Sequence, residues 1–431
     1  MAKNFLFLFF IIFVFTSCSK QVDEIENASG GFPVLAYDSE LLETLTLDKS
    51  NIYIDKPREL LYWTQHFQNP KNNLNHINSN NNFDERKKIL SGGKGPINIL
   101  QPIYFNKNIC VVLNNGFLEC RNVESGQLIF KIDLKPEDIQ KYEVIRGGIA
   151  YLDSQIISVD AYGQVLSIDT TNGSISWSVN IGFPILSPPL IYRDFVYFIS
   201  SDNRIFCISL KSGEIEWSFQ TISETRKNLF TASPVAYENI VIAPFSNGEL
   251  VAFLYDTGRP IWSESLSKIT MVSNFDIKDI SASPVIYKNN IYALSSNGKL
   301  ASVNVINGKR NWSKNISGYR TPIVTGNQVY VLNNEGKLIC VDINSGEIYW
   351  ITDLGKYKKG KKVKDLNLWL GPYLINDKLY ALSFFGELKT ISPYSGEILE
   401  ERNLATKNIL VPPIIVSDGI FIVDENSNVY R

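Results

Sequence analysis

From about residue 100 onward, short apolar runs alternate with turns rich in glycine and asparagine. Residues 285–312 show the pattern in full. Val-Ile-Tyr-Lys at 285–288 is followed by the turn Asn289-Asn290 and by Ile-Tyr-Ala-Leu at 291–294. Asn297-Gly298 then leads into Leu-Ala-Ser-Val at 300–303, and Asn307-Gly308 into a last run ending at Trp312. Runs of this length, bounded by Asn-Gly turns, predict four short antiparallel strands joined as hairpins. The second turn keeps its glycine because such turns need a positive φ, which other residues adopt at a cost.

The unit repeats. Its second glycine falls at 126, 173, 213, 258, 308, 346 and 396, so the period runs from 38 to 50 residues. Residues 163–177, 203–217, 248–262, 297–312 and 335–350 end in tryptophan, whereas 116–130 and 386–400 end in Phe130 and Glu400. Many copies open on a small residue and a proline, as in Ser233-Pro234, Ser283-Pro284 and Thr321-Pro322. Four strands per ~45 residues, repeated, describe the blades of a propeller. Seven complete units begin near 100, 146, 187, 231, 281, 320 and 370. An eighth opens at Val411 and reaches only a third strand by Arg431. Residues 60–63 (Leu-Leu-Tyr-Trp) fit the missing outer strand, because a blade shared by both chain ends leaves no free sheet edge. The expected fold is therefore all-β: an eight-bladed β-propeller of four-stranded antiparallel blades over residues 59–431, its ring closed by an N-terminal strand in the last blade. The asparagine-rich stretch 69–95 is expected to be a mobile loop joining that strand to the first blade. Phe130 and Glu400 should pack their blades more loosely.

The N-terminus carries a different signal. Lys3 precedes an apolar run at 5–15, and Thr16-Ser17-Cys18 follows. The run is too short to span ~30 Å of hydrocarbon but suits a signal-peptide core. A cysteine directly after small residues resembles a bacterial lipoprotein signal. That resemblance implies cleavage before Cys18 and lipid on Cys18, and Ser19 in place of aspartate implies the outer membrane. The expected organisation is a signal peptide at 1–17, a lipid-anchored tether at 18–58 and the propeller at 59–431.

Composition narrows the chemistry. The 42 lysines and arginines against 44 aspartates and glutamates give a formal charge of −2, which argues against a nucleic-acid partner. The chain has two histidines, His66 and His76, so a histidine-based triad or metal site would have to use one of them. Cys120, Cys207 and Cys340 share one repeat slot with Ser167, Ala252, Ser302 and Thr390, a slot that wants a small side chain. Cys110 faces Cys120 across a hairpin, where a disulfide and two free thiols are both open.

The Gly-x-x-x-Trp ending, as in Gly213 to Trp217, resembles the tryptophan-docking motif of quinoprotein dehydrogenase propellers. With the lipoprotein-type signal, the eight repeats, the Trp63 strand and the ending at 417–430, residues 58–431 resemble the BamB family of the bacterial outer-membrane β-barrel assembly machinery. The resemblance implies a non-catalytic scaffold on the periplasmic face of the outer membrane, with no cofactor. Its implied partners are the barrel insertase and, secondarily, unfolded outer-membrane proteins. Insertase contact would fall on the loops leading into two middle blades, at 224–231 and 274–281. Asp279 matches an acidic position of that pattern. Arg226, Leu229 and Phe230 supply the right residue types out of register. The alternative is a PQQ-dependent dehydrogenase or a degenerate relative, which by resemblance needs calcium, a catalytic aspartate and commonly an adjacent Cys-Cys pair. The chain has no such pair, and Asp169 and Asp342 occupy equivalent repeat slots.

In a four-stranded blade the longer loops (133–145, 220–231, 265–281, 353–369 and 402–410) all fall on one face of the disc, where binding tends to reside. The segment 356–365 carries six lysines and reads either as a solvated loop or as a contact for acidic partners or anionic lipid.

Overall fold

The computed structural model describes residues 51–431, except for 82, 84–86, 94, 97, 137–138, 140–145, 223–231, 267–278, 297 and 359–364. Cys18, Arg226, Leu229 and Phe230, the expected signal peptide and most of the expected tether therefore lie outside the described residues. Every helix or strand element among the described residues is a strand, and the strands gather into eight sheets.

The first sheet runs Ile103–Phe105, Asn108–Val112, Phe117–Asn122 and Leu128–Asp133, each strand antiparallel to the next. The same order recurs from Gly147–Leu152 out to Ile175–Asn180, and from Leu190–Tyr192 out to Ile215–Gln220. Three further copies run from Val235–Tyr237 to Pro260–Ser265, from Val285–Tyr287 to Arg310–Lys314, and from Ile323–Thr325 to Ile348–Asp353. The seventh sheet spans Trp369–Ile375 to Ile398–Asn403, and the eighth is built on Ile414–Val416 and Gly419–Val423. The inner strands are mostly short and buried. Those of the first three sheets neighbour one another in turn, as do those of the fourth through seventh. This is β-propeller architecture.

Each outer strand carries a bulge at one repeated place, after Cys120, Ser167, Cys207, Ala252, Ser302, Cys340 and Thr390. These are the residues of the small-side-chain slot. Their cross-strand partners explain the slot: Cys207 faces Trp217, Ala252 faces Trp262, and Cys340 faces Trp350. A large residue there would collide with the indole. Cys110 and Cys120 are cross-strand partners joined in a disulfide, and Cys207 and Cys340 are buried cysteines outside it.

The tryptophans join successive sheets. A Cβ at Gly213 would lie 2.6 Å from the Trp177 ring, and one at Gly258 would lie 2.5 Å from Trp217. Glycine is required at Gly213 on two counts, since its φ is also +75°. Each indole also donates its N–H to a carbonyl of the next sheet. Trp177 reaches Leu210 at 3.1 Å, Trp262 reaches Val305 at 2.9 Å, and Trp312 reaches Ile343 at 2.9 Å. Phe130 is seated in the same way, with its Cδ2 2.8 Å from a Cβ built on Gly173, and it is buried. What Phe130 lacks is the N–H. Glu400 is exposed and offers no ring to the eighth sheet.

The N-terminal part differs from expectation. Residues 60–63 do not form the outer strand of the last sheet; Lys88–Leu90 pairs with Val429–Tyr430 there. Trp63 instead exchanges backbone hydrogen bonds with Tyr104 of the first inner strand, at 2.7 and 2.8 Å. Its ring is fully buried. Of the outer-strand tryptophans, Trp177, Trp217 and Trp262 stay partly exposed, while Trp350 is almost as buried as Trp63.

Residues 52–80, expected as tether end, closing strand and mobile loop, form a collar along the inner strands of all eight sheets. Tyr151 N–H donates to the Thr64 carbonyl at 2.7 Å, and Ile191 N–H to Gln65 Oε1 at 3.0 Å. Ala236 N–H donates to the Pro70 carbonyl at 2.8 Å, and Ile286 N–H to that of Lys71 at 2.9 Å. Asp55 N–H meets Thr325 Oγ1 at 3.0 Å. His76–Asn78 pairs in parallel with Trp369–Ile375, and Arg58–Glu59 adds outside it, so the seventh sheet has six strands. Ser79 Oγ donates to the Val416 carbonyl at 2.9 Å. The innermost edge of each sheet would otherwise present unpaired N–H and C=O groups to the axis, and the collar satisfies part of that demand in every sheet.

Candidate functional site

Two features concentrate polar and exposed apolar groups: the face bearing the long loops, and a cavity at the inner strands on that same side. The link is topological, because the long loops lead into the inner strands.

The cavity has a volume of about 90 Å³. Its walls are the residues entering the inner strands, among them Gln101, Arg146, Ser281, Arg320 and Tyr373, and the collar supplies His66, Phe67 and Leu74. Arg320 is 8% exposed; its Nε donates to the Trp369 carbonyl at 2.9 Å, and its guanidinium lies 4.8 Å from the Tyr319 ring centre. Burial pulls the pKa of Arg146 and Arg320 down from its ordinary value, but a guanidinium starts so high that both stay charged. Tyr373 is raised by burial and stays a neutral phenol. Burial lowers His66 to about 3, so it is neutral at pH 7 even though part of its surface borders the cavity.

The sign of the His66 effect is definite. An unfolded histidine titrates near 6.5, so between roughly pH 6.5 and 3 the unfolded chain binds the extra proton. Stability should therefore fall as pH drops through that window, by up to about 1.4 kcal/mol per pH unit. Urea denaturation at pH 7, 5.5 and 4.5 should show His66→Phe with a flatter profile than the parent. Equal slopes would remove His66 as the cause.

His76 has a structural role. It is fully buried, with Nε2 accepting from Asp377 N–H at 2.9 Å and Nδ1 therefore donating to the Asp55 carbonyl at 2.7 Å. The Asp55 carboxylate is opposed by burial. Hydrogen bonds from Tyr287, Asn75, Gly326 and Thr325 nonetheless hold its pKa below the usual range. Neither histidine joins a metal-type cluster. Among the described residues no three His, Cys, Asp or Glu side chains come together, and no carboxylate lines the cavity. The described residues lining the cavity offer no acidic ligand for a calcium–quinone centre.

Asp279 is 6% exposed, and its carbonyl accepts from Ser296 N–H at 3.0 Å and from Ser296 Oγ at 2.9 Å. Of the lysine-rich segment, Lys356 and Lys358 are described. Tyr357 and Leu366 form a bridge, and Lys358 lies 4.1 Å from the Phe385 ring centre. The long-loop side also exposes Phe183, Tyr357 and Leu366, and Ile222 at 78%. The two cavity arginines escape the motif reading, but the repeat does mark them. Counting back from the inner-strand turns, Arg320 shares a column with Leu100, Gly147, Ser187, Ala232, Ala282, Leu370 and Val411. Arg146, one place earlier, aligns with Ile99, Leu186, Thr231, Ser281, Tyr319, Trp369 and Leu410. They are the charged members of sixteen otherwise uncharged positions.

Successive sheets of one repeated strand order, docked from the second to the seventh by Gly–Trp contacts, define a β-propeller of PQQ-like repeats. The sequence profile of the family described as outer membrane protein assembly factor BamB matches residues 114–352, more than half of the chain. The chain belongs to the BamB family. It is 24% identical over 184 residues to the BamB of Nitrosomonas eutropha, covering 42% of this chain and 43% of that one. With the BamB of Moranella endobia the identity is 23% over 182 residues, covering 41% and 47%. The matches thus span less than half the length of these curated relatives. Among solved structures, BamB from Moraxella catarrhalis superposes with a TM-score of 0.68 at 19% identity, over 80% of this chain and 98% of that one. A europium-containing methanol dehydrogenase gives 0.67 at 11%, over 91% and 90%. At these identities the likeness is one of fold.

Proposed function

We propose that this chain is a non-catalytic scaffold of outer-membrane protein assembly. It would be held at the periplasmic face of the outer membrane by lipid on Cys18, after removal of a signal peptide at 1–17. In this reading the eight sheets are the blades of one ring closed by Lys88–Leu90, and the long-loop face binds the barrel insertase. Family membership carries the reading. One further observation supports it: the exposed Phe183, Ile222, Tyr357 and Leu366 on the long-loop side. Affinity purification of the chain in mild detergent should recover the insertase; a clean preparation without it would sink the reading. Ile222→Asp removes an apolar group already 78% exposed, so it should leave thermal stability within about 1 °C while cutting that recovery severalfold.

The anchor has its own test. Cys18→Ala should move the protein from the membrane pellet to the soluble fraction, as expected when lipid is the attachment. Retention in the pellet would exclude Cys18 as the anchor.

A second mode has a specific observation in its favour. The outer strands Ile175–Asn180, Ile215–Gln220 and Pro260–Ser265 are exposed along much of their length. Such an edge can accept an extended client segment by strand addition. We place this mode second to the loop face because several blades offer it alike, which gives little selectivity among them.

A further inference from the structure

We propose that the cleft between the eighth and first sheets is a docking socket for a tryptophan flanked by carboxylates, carried on a segment of a partner protein. The inference stands apart from the scaffold reading and does not depend on contact through the long-loop face.

The repeat supplies the first argument. In six sheets the second glycine of the unit lies under an aromatic side chain of the sheet before it. A Cβ built on Gly173, Gly213, Gly258, Gly308, Gly346 or Gly396 would lie 2.5 to 2.8 Å from that side chain. Gly126 is the same glycine in the first sheet, with a similar left-handed φ of +72°. Yet no atom of the described residues lies within 4 Å of a Cβ built there.

The eighth sheet explains the vacancy. Lys87 and Arg431 exchange backbone hydrogen bonds, both at 2.9 Å, so they stand directly opposite each other. Arg431 occupies the small-side-chain slot, four residues past Ser427, as Cys340 lies four past Gly336. Lys87 therefore holds the place that Trp350 holds opposite Cys340. Residues 82 and 84–86, just before Lys87, include no aromatic residue. All seven tryptophans of the chain are engaged elsewhere. Trp177, Trp217, Trp262, Trp312 and Trp350 each bond to a carbonyl of the next sheet, and Trp369 bonds to that of Gly355. Trp63 lies against Tyr104. An indole for this socket has to come from another molecule.

Chemistry supplies the second argument. In the filled joints the indole N–H meets the carbonyl three residues before the glycine, as Trp177 meets Leu210 before Gly213. The equivalent carbonyl belongs to Val123, and Val123 lines a cleft of about 500 Å³ with Ile89. Ligand pockets run to roughly 300–1,000 Å³, so the cleft has room for an indole and a neighbouring side chain. Charge decides the neighbour. Of the carboxylates lining the cleft, Glu124 is held by Lys107 at 2.7 Å, and Asp418 accepts from the Tyr104 hydroxyl at 3.1 Å. Lys87 is exposed, and the Arg431 guanidinium donates to the Asp418 carbonyl at 2.7 Å. With both carboxylates engaged, these two cations favour an acidic residue beside the incoming indole.

The test uses the full chain in mild detergent and a labelled synthetic peptide with the sequence of residues 214–220, Glu-Ile-Glu-Trp-Ser-Phe-Gln, read by fluorescence anisotropy. Parallel peptides carry alanine for the tryptophan, or glutamine for both glutamates. We expect saturable binding of the first peptide, weakened about tenfold or more by the alanine change and severalfold by the glutamine change. Gly126→Asn should also weaken it about tenfold or more, because asparagine tolerates the left-handed φ while its side chain fills the socket. Gly182→Asn, at a glycine of φ +76° with equally open surroundings, should leave binding unchanged. Lys87→Trp combined with Arg431→Ser supplies the missing indole within the chain and should abolish binding. That double variant decides the matter if Gly126→Asn fails to fold, as judged by circular dichroism. No saturable binding, or equal affinity for the alanine or glutamine peptide, overturns the proposal. So does equal affinity in Gly126→Asn and the parent, an equal loss in Gly182→Asn, or undiminished binding by the double variant.

Discussion

A chain that starts at residue 82 should fail to form a stable propeller, whereas one that starts at residue 50 should unfold like the parent. The shorter chain loses Leu60, Trp63, Leu74 and Ile77, each nearly or fully buried. At about 1.5–3 kcal/mol per buried large apolar side chain, these alone contribute on the order of 10 kcal/mol. The backbone bonds to Tyr104, Tyr151, Ala236 and Ile286 are lost as well, and those strand edges then face the axis unpaired. A deficit of that size matches the whole stability of an ordinary domain, about 5–15 kcal/mol. Solubility and a cooperative urea transition are the measurements. A residue-82 chain that keeps a transition within about 2 kcal/mol of the parent would mean that the collar adds little to stability.

The second large effect should come from the joint between the sixth and seventh sheets. Trp350 is 2% exposed, stacks on the turn of Gly396 and donates its indole N–H to the Pro393 carbonyl at 3.3 Å. Trp350→Ala removes the ring and leaves a void, at a cost of about 3–5 kcal/mol. Trp350→Phe keeps most of the volume and loses chiefly the N–H bond, about 1 kcal/mol. That is the arrangement Phe130 already has against Gly173. The mirror experiment enlarges the glycine. Gly396→Val would set a Cβ 2.6 Å from the Trp350 ring at a φ of +75°, so strain adds to collision. Urea denaturation of the three variants should rank Trp350→Phe mildest by a clear margin. Equal costs for Phe and Ala would mean that ring volume is not what holds this joint.

The repeat was legible because side chains enforce it. Glycine at 213 or 396 answers to both φ and an indole, and the small residue at 207, 252 or 340 answers to a tryptophan directly opposite. Such constraints leave a periodic trace in any one sequence. The collar left none, because Thr64, Pro70 and Lys71 engage the inner strands through their carbonyls, which every residue owns. An asparagine-rich stretch then reads as loop, although Asn72 is 2% exposed and bonds to Ser233 Oγ at 2.9 Å. Trp63 misled for a related reason. A tryptophan at a strand end fitted the docking slot by type, while backbone bonds to Tyr104, which any residue could make, place it against an inner strand. The arginines at 146 and 320 were readable only as departures from the columns, and that comparison needs the inner-strand turns as a ruler.

The hydrogen bond from Leu60 N–H to Ser417 Oγ joins residues 357 apart in sequence. During synthesis, then, the segment made first cannot seat until the residues made last have emerged, while each hairpin in between can form on its own. Maturation should accordingly split into rapid local zippering and a slow final lacing step that waits on chain completion.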